Sequence, residues 1–258
     1  MRGAKWEKIE GVNLWWGTKE QALKMVGGWI VSGGKRKRVA TVNPEFVMQG
    51  LKDEMFLKTL EKIDLKVVDG VGLLWAKRVG KGGLLAGLSE GMNIFRGGKK
   101  EGLVPGVELA EGLIELAYQK RWKVMLVGGW ENRAQKAADK FSDKYPGLNI
   151  RAIEGEPKMS HKETIRHINE YSPDVLLVAM GMRKQEEWVE ANMDKLDFGV
   201  AVGVGRSFDY WSGELKRAPG WVRKMGLEWL YSLYKEPKRW RRQLALLRFV
   251  SRVVGRNS

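Results

Sequence analysis

Cysteine is absent from this 258-residue chain, so disulfides and thiolate chemistry are excluded, and a reducing cytoplasm is compatible with it. Histidine is nearly absent. His161 and His167 stand six residues apart, which puts them on different sides of a helix and argues against a zinc pair. Both read as solvent-facing. No apolar run approaches the roughly 18 residues of a membrane span. Met1 to Glu7 contain no apolar stretch leading to a cleavage site, so no secretory signal is expected. No glycine run forms a P-loop or a complete dinucleotide fingerprint. No Asp-x-Asp pair stands ready to anchor a divalent metal on a sugar-nucleotide pyrophosphate. Acidic residues are scarce at one end, where Lys216 to Ser258 hold only Glu228 and Glu236 against twelve Lys/Arg.

That terminal segment carries ten of the chain's fifteen net positive charges, with Trp221, Trp229, Trp240 and Phe249 among its apolar residues. A basic, aromatic-rich end on a nearly balanced body implies a polyanionic partner: a membrane surface, a pyrophosphate or nucleic acid. With 43% hydrophobic residues the chain can bury a sizeable core, and 258 residues suit one large domain or a domain with an appendage. There is no internal repeat.

Short aliphatic runs alternate with helical patterns. Strands are expected at 39–42, 65–68, 123–127, 149–153, 175–179 and 198–202. Amphipathic helices are expected near 18–31, 44–61, 107–120, 131–144, 160–171 and 184–194. The alternation predicts an α/β fold, a Rossmann-like, mostly parallel sheet with helices on both faces. Ligands then gather where loops leave the C-terminal strand ends, near Asn43, Asp69, Gly128, Gly181 and Gly203. Two stretches break the rhythm. Residues 80–102 are glycine-rich and read as a flexible inserted loop. Residues 1–215 read as the catalytic α/β domain and 216–258 as a basic, amphipathic helical appendage. On a helical wheel Trp240, Leu244, Leu247, Phe249 and Val253 share one apolar arc, with Arg241, Arg248 and Arg252 opposite. Such a helix suits either packing on its own protein or lying on anionic lipid.

Several loops carry chemistry. Asn43-Pro44 is explained by helix capping alone, whereas Thr41, polar at a strand's C-terminal end, is not. Asp69-Gly70 is either an ordinary turn or a carboxylate placed to accept a proton from a hydroxyl. Gly128-Gly129 opens a strand-to-helix turn whose N–H groups can approach a phosphate. Gln185, at a helix start, can bond a sugar, while Glu186 and Glu187 suit the positive end of that helix. Without a metal anchor, a departing pyrophosphate would need arginines, and Arg217, Arg223, Arg239, Arg241 and Arg242 are at hand.

In order, Thr41-Val42-Asn43, Asp69-Gly70, Val127-Gly128-Gly129, Lys184-Gln185-Glu186, Val202-Gly203-Val204-Gly205, Phe208-Asp209, Arg217-Ala218-Pro219, Glu228-Trp229 and Glu236-Pro237 with Arg239 and Arg242 cover about residues 10–245. This ordered set resembles the WecG/TagA/CpsF family of bacterial glycosyltransferases. The resemblance implies an inverting, metal-independent, cofactor-free transfer of an N-acetylmannosamine-type sugar. The donor would be a UDP-sugar, and the acceptor a GlcNAc on undecaprenyl diphosphate, in teichoic acid or related polysaccharide synthesis. It makes Asp69 the base and places Thr41 and Gln185 in the pocket. It brings arginines of the C-terminal segment, Arg239 and Arg242 among them, to the UDP diphosphate. Asn43, Gly128, Gly129 and Arg217 join the expected substrate-binding set. The enzyme would sit peripherally on the inner face of the cell membrane through its C-terminal helices, and a homo-oligomer is allowed. Leu103, Arg183, Arg206 and Ser232 depart from the family pattern, which commonly has Arg, Pro, Gly and Arg there. Two other readings stay open on sequence: a nucleotide-dependent oxidoreductase, and a nucleic-acid binder using some of the twelve tryptophans. The scatter of those tryptophans favours core and interface roles, so no nucleic acid is expected.

Overall fold

The computed structural model describes residues 5–154, 161–237 and 240–255, except the side chains of 241–243. The chain opens with a hairpin of β1 (Lys5–Ile9) and β2 (Val12–Trp16). Its two-residue turn, Glu10-Gly11, has φ of +49° and +88°, the mirror-image turn that matches strand twist. Neither strand is among those expected from the sequence. Then follow α1 (Lys19–Val31), β3 (Lys37–Val42), α2 (Pro44–Gly50), α3 (Glu54–Glu61), β4 (Leu65–Val68), α4 (Val71–Phe95) and α5 (Gly106–Lys120). The second half alternates strictly: β5 (Val124–Gly128), α6 (Arg133–Lys144), β6 (Ile150–Ile153), α7 (His161–Tyr171), β7 (Val175–Ala179), α8 (Lys184–Ala191) and β8 (Val200–Gly203). After α9 (Ser207–Ser212) come α10 (Gly220–Lys224), α11 (Glu228–Lys235) and α12 (Trp240–Gly255).

The eight strands form one sheet in the order β1-β2-β4-β3-β8-β7-β5-β6, parallel throughout except for the β1–β2 pair. Alternate residues of each strand supply opposite faces. In β4, Leu65 and Val67 join a core with Leu109 and Ile114 of α5, while Val68 joins another with Phe46 of α2, Leu73 of α4 and Phe249 of α12. A third core packs Leu176 and Val178 of β7 against Ile168 of α7 and Trp188 of α8. Both faces are thus covered, as the aliphatic strands require, and the α/β expectation holds.

The expected helix over 44–61 divides at Leu51–Asp53, because Asp53 accepts from the N–H groups of Met55 and Phe56 and starts α3 afresh. The expected flexible loop over 80–102 is instead mostly helical. Helix α4 runs to Phe95 and folds back at Gly82-Gly83, where Gly83 takes φ +68°. Gly87 lets the returning half press against Val79, since a Cβ there would lie 2.4 Å from the valine methyl. The apolar arc expected of α12 is shared out: Phe249 and Val253 are buried in the protein's own core, whereas Trp240 and Leu247 are exposed.

Candidate active site

The C-terminal ends of β4, β3, β8, β7 and β5 lie in a row. At β4 the chain is stitched on both sides. The Asp69 N–H donates to Val42 O of β3 (2.7 Å), and the Val104 N–H donates to Val68 O (2.7 Å). Gly70 then turns at φ +122°, beyond the easy reach of other residues. This geometry aims Asp69 at the N-terminus of α5, where its Oδ2 accepts the Gly106 N–H at 3.2 Å. Thr41 converges on the same point. A Cβ at Gly106 would stand 2.8 Å from Thr41 Oγ1, so glycine is what allows strand and helix end to meet. Asn43 sits alongside, but its Oδ1 accepts the Phe46 N–H at 3.1 Å, which makes it the cap of α2.

Burial pushes the Asp69 carboxyl up to about 7; the Gly106 N–H opposes this, the Glu228 carboxylate adds to it, Arg217 opposes it and Glu108 adds to it. These last three residues form a lattice over α5. Arg217 donates to Glu228 (3.1 Å) and Glu108 (3.2 Å), and Arg223 donates to the same Glu108 oxygen at 3.0 Å. Lys100 reaches the Arg223 carbonyl at 2.6 Å. The start of the C-terminal segment is thereby locked beside the Asp69 loop. A carboxyl titrating near neutrality, with a guanidinium at hand, suits proton abstraction from a hydroxyl while charge grows on a neighbouring group.

Gly128 and Gly129 lie at the tip of β5, four strand spacings from β4, or roughly 19 Å. Both have positive φ, and the Gly129 N–H is bonded to Ala179 O at 2.8 Å. A nucleotide sugar touching both Asp69 and this turn would have to lie along the strand ends. Gln185 lies between them and is almost fully buried. Its Oε1 accepts the Gly205 N–H (3.1 Å) and its Nε2 donates to Glu186 (2.7 Å), so it braces the loop after β8. Glu186 also accepts the Arg183 N–H at 2.8 Å. Its carboxyl is pushed up to about 7 by burial, against those hydrogen bonds. Because the folded value lies above the unfolded one, native protein keeps a proton that unfolded chain releases. This contribution to stability is therefore present at low pH and lost as pH rises through about 7. Stability should fall between about pH 4.5 and 7.5, and Glu186→Gln should remove about 2 kcal/mol of that fall. A slope unchanged by the substitution would place the titration elsewhere.

Of the arginines named from the sequence, the side chains of Arg217 and Arg223 are described, whereas Arg239 and the side chains of Arg241 and Arg242 lie outside the described residues. Arg206, Glu236, Glu108 and Glu228 were not singled out as site residues from the sequence. Arg206 grips Glu236 through both terminal nitrogens and donates to Asp209 from Nε at 3.0 Å. Asp209 is held in turn by Arg133 at 2.6 Å. The departure at Arg206 thus supplies a tether between the β8–α9 loop and the segment following α11. The signal for Glu108 was its place in the first turn of α5, two residues after a glycine that opens a helix facing Asp69. Among the described residues, no three His, Asp or Glu gather to hold a metal ion.

The family model described as "Glycosyl transferase WecG/TagA/CpsF family" matches residues 7–258. A curated relative from Bacillus subtilis (strain 168) is 26% identical over 84% of this chain and 78% of its own length. Relatives from Bacillus spizizenii (27%, 84% and 78%) and Staphylococcus aureus strain MW2 (27%, 78% and 73%) align comparably. All three are N-acetylglucosaminyldiphosphoundecaprenol N-acetyl-beta-D-mannosaminyltransferases.

Proposed function

The chain belongs to the WecG/TagA/CpsF family of glycosyl transferases, and we propose that it moves an N-acetylmannosamine-type sugar from UDP to a GlcNAc-diphospho-undecaprenol-type acceptor. Membership makes it a glycosyltransferase and sets aside the oxidoreductase and nucleic-acid readings. The proposed reaction is a single displacement. The acceptor C4 oxygen attacks the anomeric carbon as its proton passes to Asp69. The bond from that carbon to the diphosphate oxygen breaks, and UDP leaves with the electron pair. One base suffices, and inversion needs no covalent intermediate. Arginines neutralise the leaving diphosphate: Arg217 from its observed position, with Arg239 and Arg242 proposed beside it. No resident metal is invoked. The observation that carries this reading is the half-buried Asp69 at a strand tip, facing a helix N-terminus under a guanidinium of the C-terminal segment.

No helix among the described residues is long and apolar enough to cross a membrane. A lipid-borne acceptor therefore implies peripheral attachment, which we place on the inner face of the cell membrane, through the basic C-terminal helices. The test is transfer from a panel of UDP-sugars to a short-chain, soluble GlcNAc-diphospho-lipid. Turnover with UDP-ManNAc is the expected result; no turnover with any UDP-sugar would end the proposal.

Arg217→Ala should lower kcat/KM about 100-fold, the scale for losing one charged donor to a developing anion. It should also move the acid limb of the pH–rate profile upward, because Arg217 holds the Asp69 carboxyl down. A lost rate with an unmoved limb would remove Arg217 from the neighbourhood of the base.

A further inference from the structure

The returning half of α4 carries an apolar face that nothing among the described residues covers. Leu84, Leu85, Leu88, Met92 and Phe95 are 43–81% exposed. At about 100° per residue they fall within a single arc of about 100° on the helix. Opposite them, Gly87, Glu90 and Ile94 are buried. The only acid of residues 84–95, Glu90, is turned inward and paired with Arg78 at 3.1 Å. Five large apolar side chains aligned over about 18 Å of helix are more than the scattered exposure of an ordinary surface.

Three observations select the occupant. First, the helix ends in exposed cations: Arg96 and Lys99 follow Phe95, and no acid lies in the arc. Secondly, the helix is continuous with the basic C-terminal segment. A Cβ at Gly226 would lie 2.6 Å from Ile94, and Lys100 bonds Arg223 O. That neighbouring segment exposes Trp221, Trp229, Leu230 and Tyr234. Thirdly, the helical hairpin springs from the active-site loop and returns to it: α4 begins two residues after Asp69, and Val104 closes back onto Val68. An apolar stripe bordered by cations matches the boundary between anionic headgroups and acyl chains.

We propose that the helix at residues 84–95 is a second membrane-docking element, lying in the surface of an anionic bilayer with its Leu84–Phe95 face buried in the acyl boundary. It would hold the Asp69 loop at the headgroup level, where a lipid-borne diphosphate sugar presents itself. The choice of a bilayer rests on the lipid-acceptor reading above.

The absence of native cysteine makes a direct test simple. Leu88→Cys carries an environment-sensitive fluorophore, as does Lys24→Cys on α1 as a reference position. Each protein is mixed with phosphatidylglycerol/phosphatidylcholine vesicles and with pure phosphatidylcholine vesicles. Expected is a blue shift for the label at 88 on anionic vesicles, weaker on neutral ones, and none for the label at 24. Leu85→Ser/Leu88→Ser/Phe95→Ser, with an unaltered circular dichroism spectrum and melt, should lower partition into anionic vesicles at least about tenfold. The proposal is overturned if the 88 label stays unshifted while the protein floats with vesicles. It is also overturned if the triple variant partitions like the parent. A shift that grows with protein concentration without lipid, together with a dimer lost in the triple variant, would assign the face to a second copy instead. No sugar transfer enters these measurements. Docking without turnover would thus count against the acceptor assignment alone, and turnover on the soluble acceptor without docking against this surface alone.

Discussion

Asp69→Asn should yield a folded protein whose transfer rate is about 10²–10⁴-fold lower, the range for losing a positioned general base. The amide oxygen can still accept the Gly106 N–H, so the loop keeps its hydrogen bond and only the proton acceptor is lost. In the parent enzyme, kcat/KM should rise with pH through about 7, where burial places the Asp69 carboxyl. That limb should vanish from whatever activity the variant retains. Stability should move the other way. The carboxyl titrates higher in the folded state than in the unfolded chain, so native protein binds the extra proton between about pH 4 and 7. The associated stability is present at acid pH and lost as pH rises through about 7. Replacing the carboxylate by a neutral amide should raise stability at pH 8 by about 1–2 kcal/mol, allowing for the partial exposure of the group. In a chain of this size that is a melting point higher by a few degrees. An inactive variant that melts lower than its parent at pH 8 would show Asp69 to be a structural carboxylate. A variant of near-normal rate would remove it from the base role.

Much of this site was legible because its geometry is local. Buried parallel strands must be short aliphatic runs. Their C-terminal tips therefore come out as the residues just past Val42, Val68 and Val127, which marks Asn43, Asp69 and Gly128 without coordinates. What stayed hidden depends on distant pairing. Arg217 meets Glu108 across 109 residues, and nothing in either neighbourhood signals the other. The β1–β2 hairpin escaped because its Glu10-Gly11 turn lacks the usual Asn or Asp. The returning half of α4 escaped because Gly87, which allows close packing, and Gly91 look like breakers in a glycine-rich string. The sequence points Gln185 at a sugar, whereas its burial and its bond from the Gly205 N–H make it a brace for the loop after β8. The helical wheel of α12 found the apolar arc but not its division between core and solvent, which only the position of α2 and α4 decides.

That division gives the largest stability effect expected anywhere in the C-terminal segment. Phe249 is fully buried among Phe46, Val47 and Leu73, and Val253 lies beside it. Phe249→Ala removes an aromatic ring from a site that cannot collapse, because the strand behind it is fixed by the sheet. The cost should be about 3–5 kcal/mol, a melting point lower by about 10 °C. Phe249→Leu should restore part of it, and Ser251→Ala, on an exposed part of the same helix, should change little. The same contact reaches the site. Leu246, one turn earlier, packs where a Cβ on Gly72 would lie 3.0 Å from its methyl, and Pro44 fills the other side. Loosening α12 therefore loosens the two turns that carry Asn43 and Asp69, and Phe249→Ala should also lower kcat well below its melting point. A chain cut after Gly213 would lose this packing altogether. Its failure to float with vesicles would report an opened core as much as a missing anchor. If Phe249→Ala melted within 2 °C of its parent, α12 would be a detachable arm rather than part of the core, and the truncation would become the cleaner membrane experiment.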